Sequence, residues 1–296
     1  MSISHNITKA LLQLKSLPLE LFWSGRCLYI AGDLHPSLQH LNFSNHNLGD
    51  DLNLPLVSAL SGKHVLPIRY SFGGKRRTYH LVIGSMLEEW SSSRAIVWGA
   101  GLMRPLERPI PVPQAVFAVR GPMTRKELMA HGIECPEIYG DPAILLPRIF
   151  MPPKSKRNGV ALIPHLNDRN HPFVSRWRSW GGIVLDVGQY GDWRKFIREL
   201  NVCEAVLSSS LHGLILADAY GIPSRRIILG KHSIIGGDFK FTDYYLSFRQ
   251  HVPPTLCARD IARASETEIM ERIMDFWCAL PDGMAGQLLR HCPFLK

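Results

Sequence analysis

Residues 203–230 read CEAVLSSSLHGLILADAYGIPSRRIILG. A short apolar run, AVL, enters three serines. A longer apolar stretch of helical length follows and stops at Gly221-Ile222-Pro223, and a third run, RRIILG, closes the segment. This is a strand–turn–helix–turn–strand unit: Gly turns the chain, and Pro just beyond it blocks further helix. A buried strand followed at once by a crossover helix returns the chain to a parallel neighbour, so the unit predicts an α/β sheet.

The alternation extends in both directions. HLVIGSML (80–87) and AIVWGAGL (95–102) each predict a buried strand ending in a glycine turn. AVFAVRG (115–121) predicts another, opening at Gly121-Pro122 into a helix, MTRKELMAHG, that Gly132 closes. PRIFMPPKSKRNG (147–159) then interrupts with three prolines and a basic run, which predicts a domain boundary. Beyond it GVALIPHL (159–166) and GGIVLDV (181–187) predict strands, and DWRKFIREL (192–200) and ETEIMERIMDFWCAL (266–280) predict amphipathic helices. The expectation is two α/β domains, 1–150 and 151–296, holding a ligand where strand carboxyl ends meet.

Composition narrows the class. With 296 residues, 46% hydrophobic and 20% charged, the chain is globular, not disordered, collagenous or a disulfide scaffold. No uncharged apolar run approaches the roughly 18 residues of a membrane span. The opening MSISHNITKALLQLKSLPLELFW lacks the apolar core and cleavage site of a secretory signal. Cysteines stand at 27, 135, 203, 257, 278 and 292 without a CxxC pair or a zinc-like His spacing, which predicts free thiols, no metal site and a cytoplasmic setting. Lys plus Arg number 34 against 25 acids, a net charge of +9. The clusters GGKRRTYH (73–80) and PKSKR (153–157) lack interleaved aromatics, so the surplus predicts a small anionic ligand and no nucleic acid.

Candidate chemistry collects at the turns. In the central unit Ser209 or Ser210 is placed to cap a helix starting near Leu211, with His212 in its first turn. Free N–H groups, the positive helix end and an imidazole together make an anion site; the alternative is a capped helix whose His merely packs. Arg120 closes its strand beside a helix start and suits a carboxylate or phosphate, with a surface ion pair as the alternative. Arg125 reads as surface, and Asp141 in YGDPAILLP (139–147) as a structural cap. NLGDDLN (47–53) sets Asn47, Gly49, Asp50 and Asp51 at the start of a helix, as an N-cap cluster or a grip on sugar hydroxyls. GGDFKFTDYY (236–245) places Asp238, Lys240 and Asp243 after a Gly-Gly turn; a surface ion pair is the plain reading of Lys240.

In order, NLGDDLN, VIGSML, VWGAGL, VRGPMTRKEL with YGDPAILLP, SSSLHGLILADAYGIP and DFKFTDYY resemble the polysaccharide pyruvyltransferase family, especially the exopolysaccharide ketal pyruvyltransferases of the xanthan and succinoglycan type. The likeness runs from about residue 45 to 250. It implies two Rossmann-like domains facing across a cleft, GT-B-like, and transfer of pyruvate from phosphoenolpyruvate to two hydroxyls of one sugar. Phosphoenolpyruvate is a co-substrate, and no cofactor is implied. The resemblance marks Arg120, His212 and Lys240 as the catalytic set. Ser209, Ser210, Leu211 and Gly213 join them around phosphoenolpyruvate, and Asn47, Asp50, Asp51, Ser85 and Trp98 are acceptor contacts. Where the family often reads S-R-L-H, Ser210 stands in place of the arginine, so one anionic contact is either missing or supplied from elsewhere, for example by Arg225 or Arg226. A lipid-linked oligosaccharide acceptor is implied. The N-terminal stripe of Leu11, Leu14 and Leu17 beside Lys9 and Lys15 suits contact with an anionic membrane face. The competing expectation is a GT-B glycosyltransferase that uses a nucleotide sugar.

Overall fold

The computed structural model describes residues 27–32, 47–71, 74–230 and 236–296. The Leu11–Leu14–Leu17 stripe lies outside them. The described strands form two five-stranded parallel sheets. In the first, β1 (Cys27–Ile30), β2 (His64–Pro67), β3 (Tyr79–Leu81), β4 (Ala95–Trp98) and β5 (Ala115–Ala118) lie in the order β2-β1-β3-β4-β5. The second has β6 (Val160–Ile163), β7 (Ile183–Val184), β8 (Ala205–Ser208), β9 (Ser224–Ile228) and β10 (Leu256–Cys257) in the order β10-β9-β8-β6-β7. Counted from its own first strand, each sheet winds 2-1-3-4-5, a doubly wound order of the Rossmann-like kind. The α/β class read from residues 203–230 is the class observed.

The chain divides into two compact units. One holds Asp50–Pro142 with Gly286–Lys296, and the other holds Ala143–Ala285 together with residues 47–49. The division falls after Pro142, where the 3-10 turn Pro142–Arg148 begins. The C-terminal segment belongs with the first unit for a specific reason. Trp98 is fully buried, its indole N–H donates to the Leu288 carbonyl at 3.0 Å, and Phe294 meets its ring edge-on at 5.3 Å. Trp98, expected as an acceptor contact, is therefore a core anchor for that segment.

Every residue of β6 and of β8 is buried, as expected for central parallel strands covered on both faces. Leu162, Leu207, Ile227, Phe173, Trp177, Ile269 and Ile273 form the core beneath them. Several elements are shorter than their sequence signal. GGIVLDV contributes only Ile183–Val184, its start delayed by the turn at Gly181, φ 82°. The last amphipathic helix ends at Met274, having started from a Ser265/Glu268 capping box. Among the described residues no helix is long and apolar enough to cross a membrane.

Gly99 shows how tightly the first sheet ends. Its φ of 92° is left-handed, and a Cβ there would lie 2.2 Å from Pro142 Cδ. Gly99→Ala should therefore lower stability by about 2 kcal/mol or more, through backbone strain plus overpacking. Urea denaturation would check this, and an unchanged midpoint would contradict the packing.

Candidate active site

In a doubly wound sheet, the crevice opens where successive crossovers leave in opposite directions. In the second unit that point lies between β6 and β8, paired from Val160↔Ala205 to Ile163↔Ser208. The residues just past Ile163 and Ser208 are consequently brought together. The Leu211–Ala219 helix starts directly on the strand end, because Gly213 has no side chain: a Cβ would sit 2.3 Å from Ser208 Oγ and 2.9 Å from Ile163 Cγ2. Ser208 Oγ lies 2.8 Å from both the Ile163 and Ser210 carbonyls and accepts the Ser210 N–H at 3.0 Å.

The expected serine cap is not made. Ser210 occupies the N-cap position without a side-chain hydrogen bond. Ser209 Oγ is committed elsewhere: it donates to Asp168 Oδ2 at 2.6 Å and accepts the His165 N–H at 2.9 Å. The helix N-terminus thus keeps its positive end without a serine on it. Ser209 instead ties β8 to the loop after β6, and His165 and Asp168 in that loop are site residues that the sequence reading passed over. The signal lies within GVALIPHL itself, where His165 stands just past the apolar run that forms β6.

His212, in the first helical turn, is only 8% exposed. Its imidazole fills the place where a Gly49 side chain would be, with a Cβ there falling 1.8 Å from Nδ1. Residues 47–49 are held against this unit by the Leu48 N–H bond to the Val187 carbonyl, 2.8 Å, while Asn47 Oδ1 accepts the Gly49 N–H at 3.3 Å. Lys240 lies on the Phe239–Leu246 helix and is 6% exposed, so it is a buried cation and does not stand on the surface. Of the two candidate replacements for the arginine missing at 210, Arg226 faces the Phe239–Leu246 helix. It donates to Asp238 Oδ1 at 2.5 Å and lies 3.8 Å from the Phe241 ring centroid. Arg225 points to the other face, as strand alternation requires, and bonds the Pro254 and Arg272 carbonyls.

The first unit gathers its own motif residues. Arg120 is fully buried. Its Nη1 donates to Ser85 Oγ at 2.5 Å and its Nη2 to the Leu102 carbonyl at 2.6 Å. The guanidinium lies over Gly101, whose Cβ would be 2.4 Å from Arg120 Cζ. Asp50 Oδ1 lies 3.3 Å from the corresponding point on Gly84. Asn53 fixes this corner by accepting the Ile83 N–H at 2.9 Å and donating to the Asp50 and Ile83 carbonyls. Asp50, Ser85 and Arg120 are thus brought to one strand-end cluster, and Asp51 is half-buried beside Asp50.

Burial shifts both His165 and Asp218. Burial, with help from the positive charges of Lys240 and His212 and against the pull of Asp168, depresses His165 to about 4. Its Nδ1 accepts the Asn167 N–H at 3.2 Å, so the neutral ring carries its proton on Nε2 and is a fixed donor. Burial raises Asp218 to about 6, against the stabilising hydrogen bonds from Tyr244 and Ser224. Those bonds measure 2.8 and 2.9 Å. Among the described residues, no group of three His, Cys, Asp or Glu side chains is placed to hold a metal ion.

Comparison with known proteins bears on the same strand ends. Residues 47–229 match the family described as polysaccharide pyruvyl transferase. The chain belongs to that family. The matched span starts at Asn47 and takes in Arg120 and His212 but stops before Lys240. The chain is 29% identical over 171 residues to an uncharacterized protein of Acanthamoeba polyphaga mimivirus, covering 56% of this chain and 58% of that protein. It is also 27% identical over 252 residues to the succinoglycan biosynthesis protein ExoV of Rhizobium meliloti, covering 78% of this chain and 69% of that one. The first match therefore spans under two thirds of its relative.

The two shifted groups act on stability in opposite senses. Between pH 4 and 6 folded Asp218 keeps a proton that the unfolded chain has released, so its contribution falls as pH rises. His165 is neutral when folded and charged when unfolded between pH 4 and 6.5, so its contribution falls as pH drops. Asp218→Asn keeps the acceptor for Ser224 and cannot charge. Its stability relative to wild type should rise by about 3 kcal/mol from pH 4 to 7, read from thermal melts across that range. A pH-independent difference would show that Asp218 does not titrate in this window.

Proposed function

We propose that this polysaccharide pyruvyl transferase takes pyruvate from phosphoenolpyruvate and installs it as a cyclic ketal on two hydroxyls of one sugar residue. The observation that carries the reading is the convergence at the β6/β8 switch point: a helix N-terminus with no serine cap, His212 in its first turn, a neutral donor at His165 and buried Lys240. Phosphoenolpyruvate presents a carboxylate and a phosphate. Backbone N–H groups, an ammonium and imidazole N–H groups are the donors that hold such oxygens. The sheet end supplies all three kinds on one unit.

In the proposed reaction a proton adds to the methylene carbon of phosphoenolpyruvate, leaving an electron-poor C2 that the first sugar hydroxyl attacks. The C2–O bond to phosphate then breaks, the phosphate keeping the bridging oxygen, and the second hydroxyl closes the ring. The protons balance: two leave the sugar hydroxyls, one ends on the new methyl group and the other on phosphate. His212 is the residue assigned to move them, since imidazole is the side chain best suited to giving and taking a proton near neutrality. Lys240 and the helix start offset the negative charge of the donor and of the departing phosphate. Arg120 enters this reading as a brace: its fork is spent on Ser85 and Leu102, and it fixes the glycine turns after β3 and β4. The succinoglycan biosynthesis protein among its relatives supports a glycan acceptor.

The test is phosphoenolpyruvate consumption with phosphate release on a panel of glycosides, and ketal detection in the product. His212→Asn should lose about 10²–10⁴-fold in turnover while remaining folded. Lys240→Gln should raise the KM for phosphoenolpyruvate about tenfold or more. Gly49→Ala should push the imidazole aside and lower kcat with little change in KM. Near-normal turnover by the His212 variant, or a donor requirement met only by nucleotide sugars, would reject the assignment.

A further inference from the structure

The opposite end of the second sheet carries a separate hollow of about 350 Å³, lined by Asn158, Val160, Trp177, Trp180, Ile183 and Glu266. It opens at the amino ends of β6 and β7, whereas His212 and His165 follow the carboxyl ends of β8 and β6. Trp180 is 50% exposed, yet it is firmly placed. It is the last residue of the turn that ends the Pro172–Ser179 helix, its N–H bonded to the Arg176 carbonyl at 3.1 Å. Its ring meets Phe173 edge-on at 6.0 Å and leans on Trp177 at 6.5 Å. Trp177 is itself fixed by its indole N–H bond to the Ile183 carbonyl at 3.0 Å, and Gly182 leaves room for it, a Cβ there falling 2.4 Å from Trp177 Nε1. The apolar wall is thus held in place by its own packing.

The rim has a different chemistry. Glu266 is exposed, and its Oε1 accepts the Val160 N–H at 3.2 Å. A carboxylate has about four lone-pair sites, so the others remain for hydroxyl donors. Asn158, also exposed, adds an amide that both donates and accepts. A flat aromatic wall with a carboxylate and an amide at its edge matches a pyranose, whose faces are C–H and whose edge is hydroxyl. The Glu266 charge selects against nucleotides and other anions that would also stack on an indole.

We propose that this hollow is a second glycan-binding subsite, taking a neutral pyranose unit stacked on Trp180, away from the site of pyruvyl transfer. It rests on the proposed function only in taking the substrate to be a glycan. An acceptor chain held there would be retained between encounters with the transferring site, which raises effective concentration without touching the chemistry.

The full chain is titrated with cellotetraose in the absence of phosphoenolpyruvate, following tryptophan fluorescence and indole N–H NMR signals. We expect saturable binding with a Kd of about 1 mM, a shift of the Trp180 indole signal, and at least about tenfold weaker binding by Trp180→Ala. Trp180→Phe, which keeps an aromatic face, should bind within about threefold of wild type. Phosphoenolpyruvate consumption with a simple monosaccharide glycoside should be unchanged in Trp180→Ala. Absence of saturable binding by wild type, or equal binding by Trp180→Ala, overturns the subsite. Either result can coexist with normal phosphoenolpyruvate turnover, so it would not be confused with failure of the proposed reaction.

Discussion

The missing side chain at Gly213 is the constraint on which the second unit turns. A helix that begins on the end of a parallel sheet must bring its first turn against two strands at once, and any Cβ at 213 would collide with Ser208 and Ile163. With the glycine in place, the Ser208 hydroxyl can sit under the turn, accept the Ser210 N–H and reach the Ile163 and Ser210 carbonyls. The helix axis is then fixed relative to β6 and β8, and so is the direction of its N–H groups. His212 follows as a consequence, since it is the residue before Gly213. A second absent Cβ, at Gly49, makes room for its ring.

How much of this was legible depended on whether the signal was local. The 203–230 unit contains its own stop signals and predicted both the α/β class and the position of His212. NLGDDLN, VIGSML and VWGAGL drew attention to Gly49, Gly84 and Gly101, but not to what each glycine must accommodate, because the imidazole, the Asp50 carboxylate and the Arg120 guanidinium come from other segments. The Phe239–Leu246 helix was missed for a related reason. FKFTDYYL shows no polar face, since Phe239, Lys240, Phe241, Asp243, Tyr244 and Tyr245 are all buried. Lys240 beside an acid looks like surface chemistry in one dimension and is interior in three. Trp98 ran the other way: its partner Leu288 is 190 residues distant, and no local pattern separates a stacking tryptophan from a core one.

The basic surplus also takes on a location. Arg120, Arg226 and Lys240 are each at most 6% exposed, and a buried cation is retained only where something offsets its desolvation. The three are handled differently. Arg120 donates to the Ser85 hydroxyl and the Leu102 carbonyl, and so clamps two loops together. Arg226 is matched by the Asp238 carboxylate and the face of Phe241. Lys240 acts visibly on its surroundings, since its charge helps to keep His165 neutral. Lys240 therefore sets a positive field at the end of the second sheet from a buried position.

That field bears on how one imidazole could serve a reaction with several proton movements. In the proposed transfer, the protons released by the two hydroxyls equal those taken up by carbon and phosphate, so no net proton enters or leaves. A single carrier, His212, is then sufficient if the other donors around the substrate do not compete for the same protons. His165 meets that condition. With Nδ1 engaged by the Asn167 N–H and the ring held neutral down to about pH 4, it can donate a hydrogen bond throughout the cycle without taking up a proton at neutral pH. Backbone N–H groups at the helix start behave the same way. In the proposed transfer, the division between fixed donors and one mobile proton follows from burial and from the neighbouring ammonium, which are properties of where β6 and β8 end.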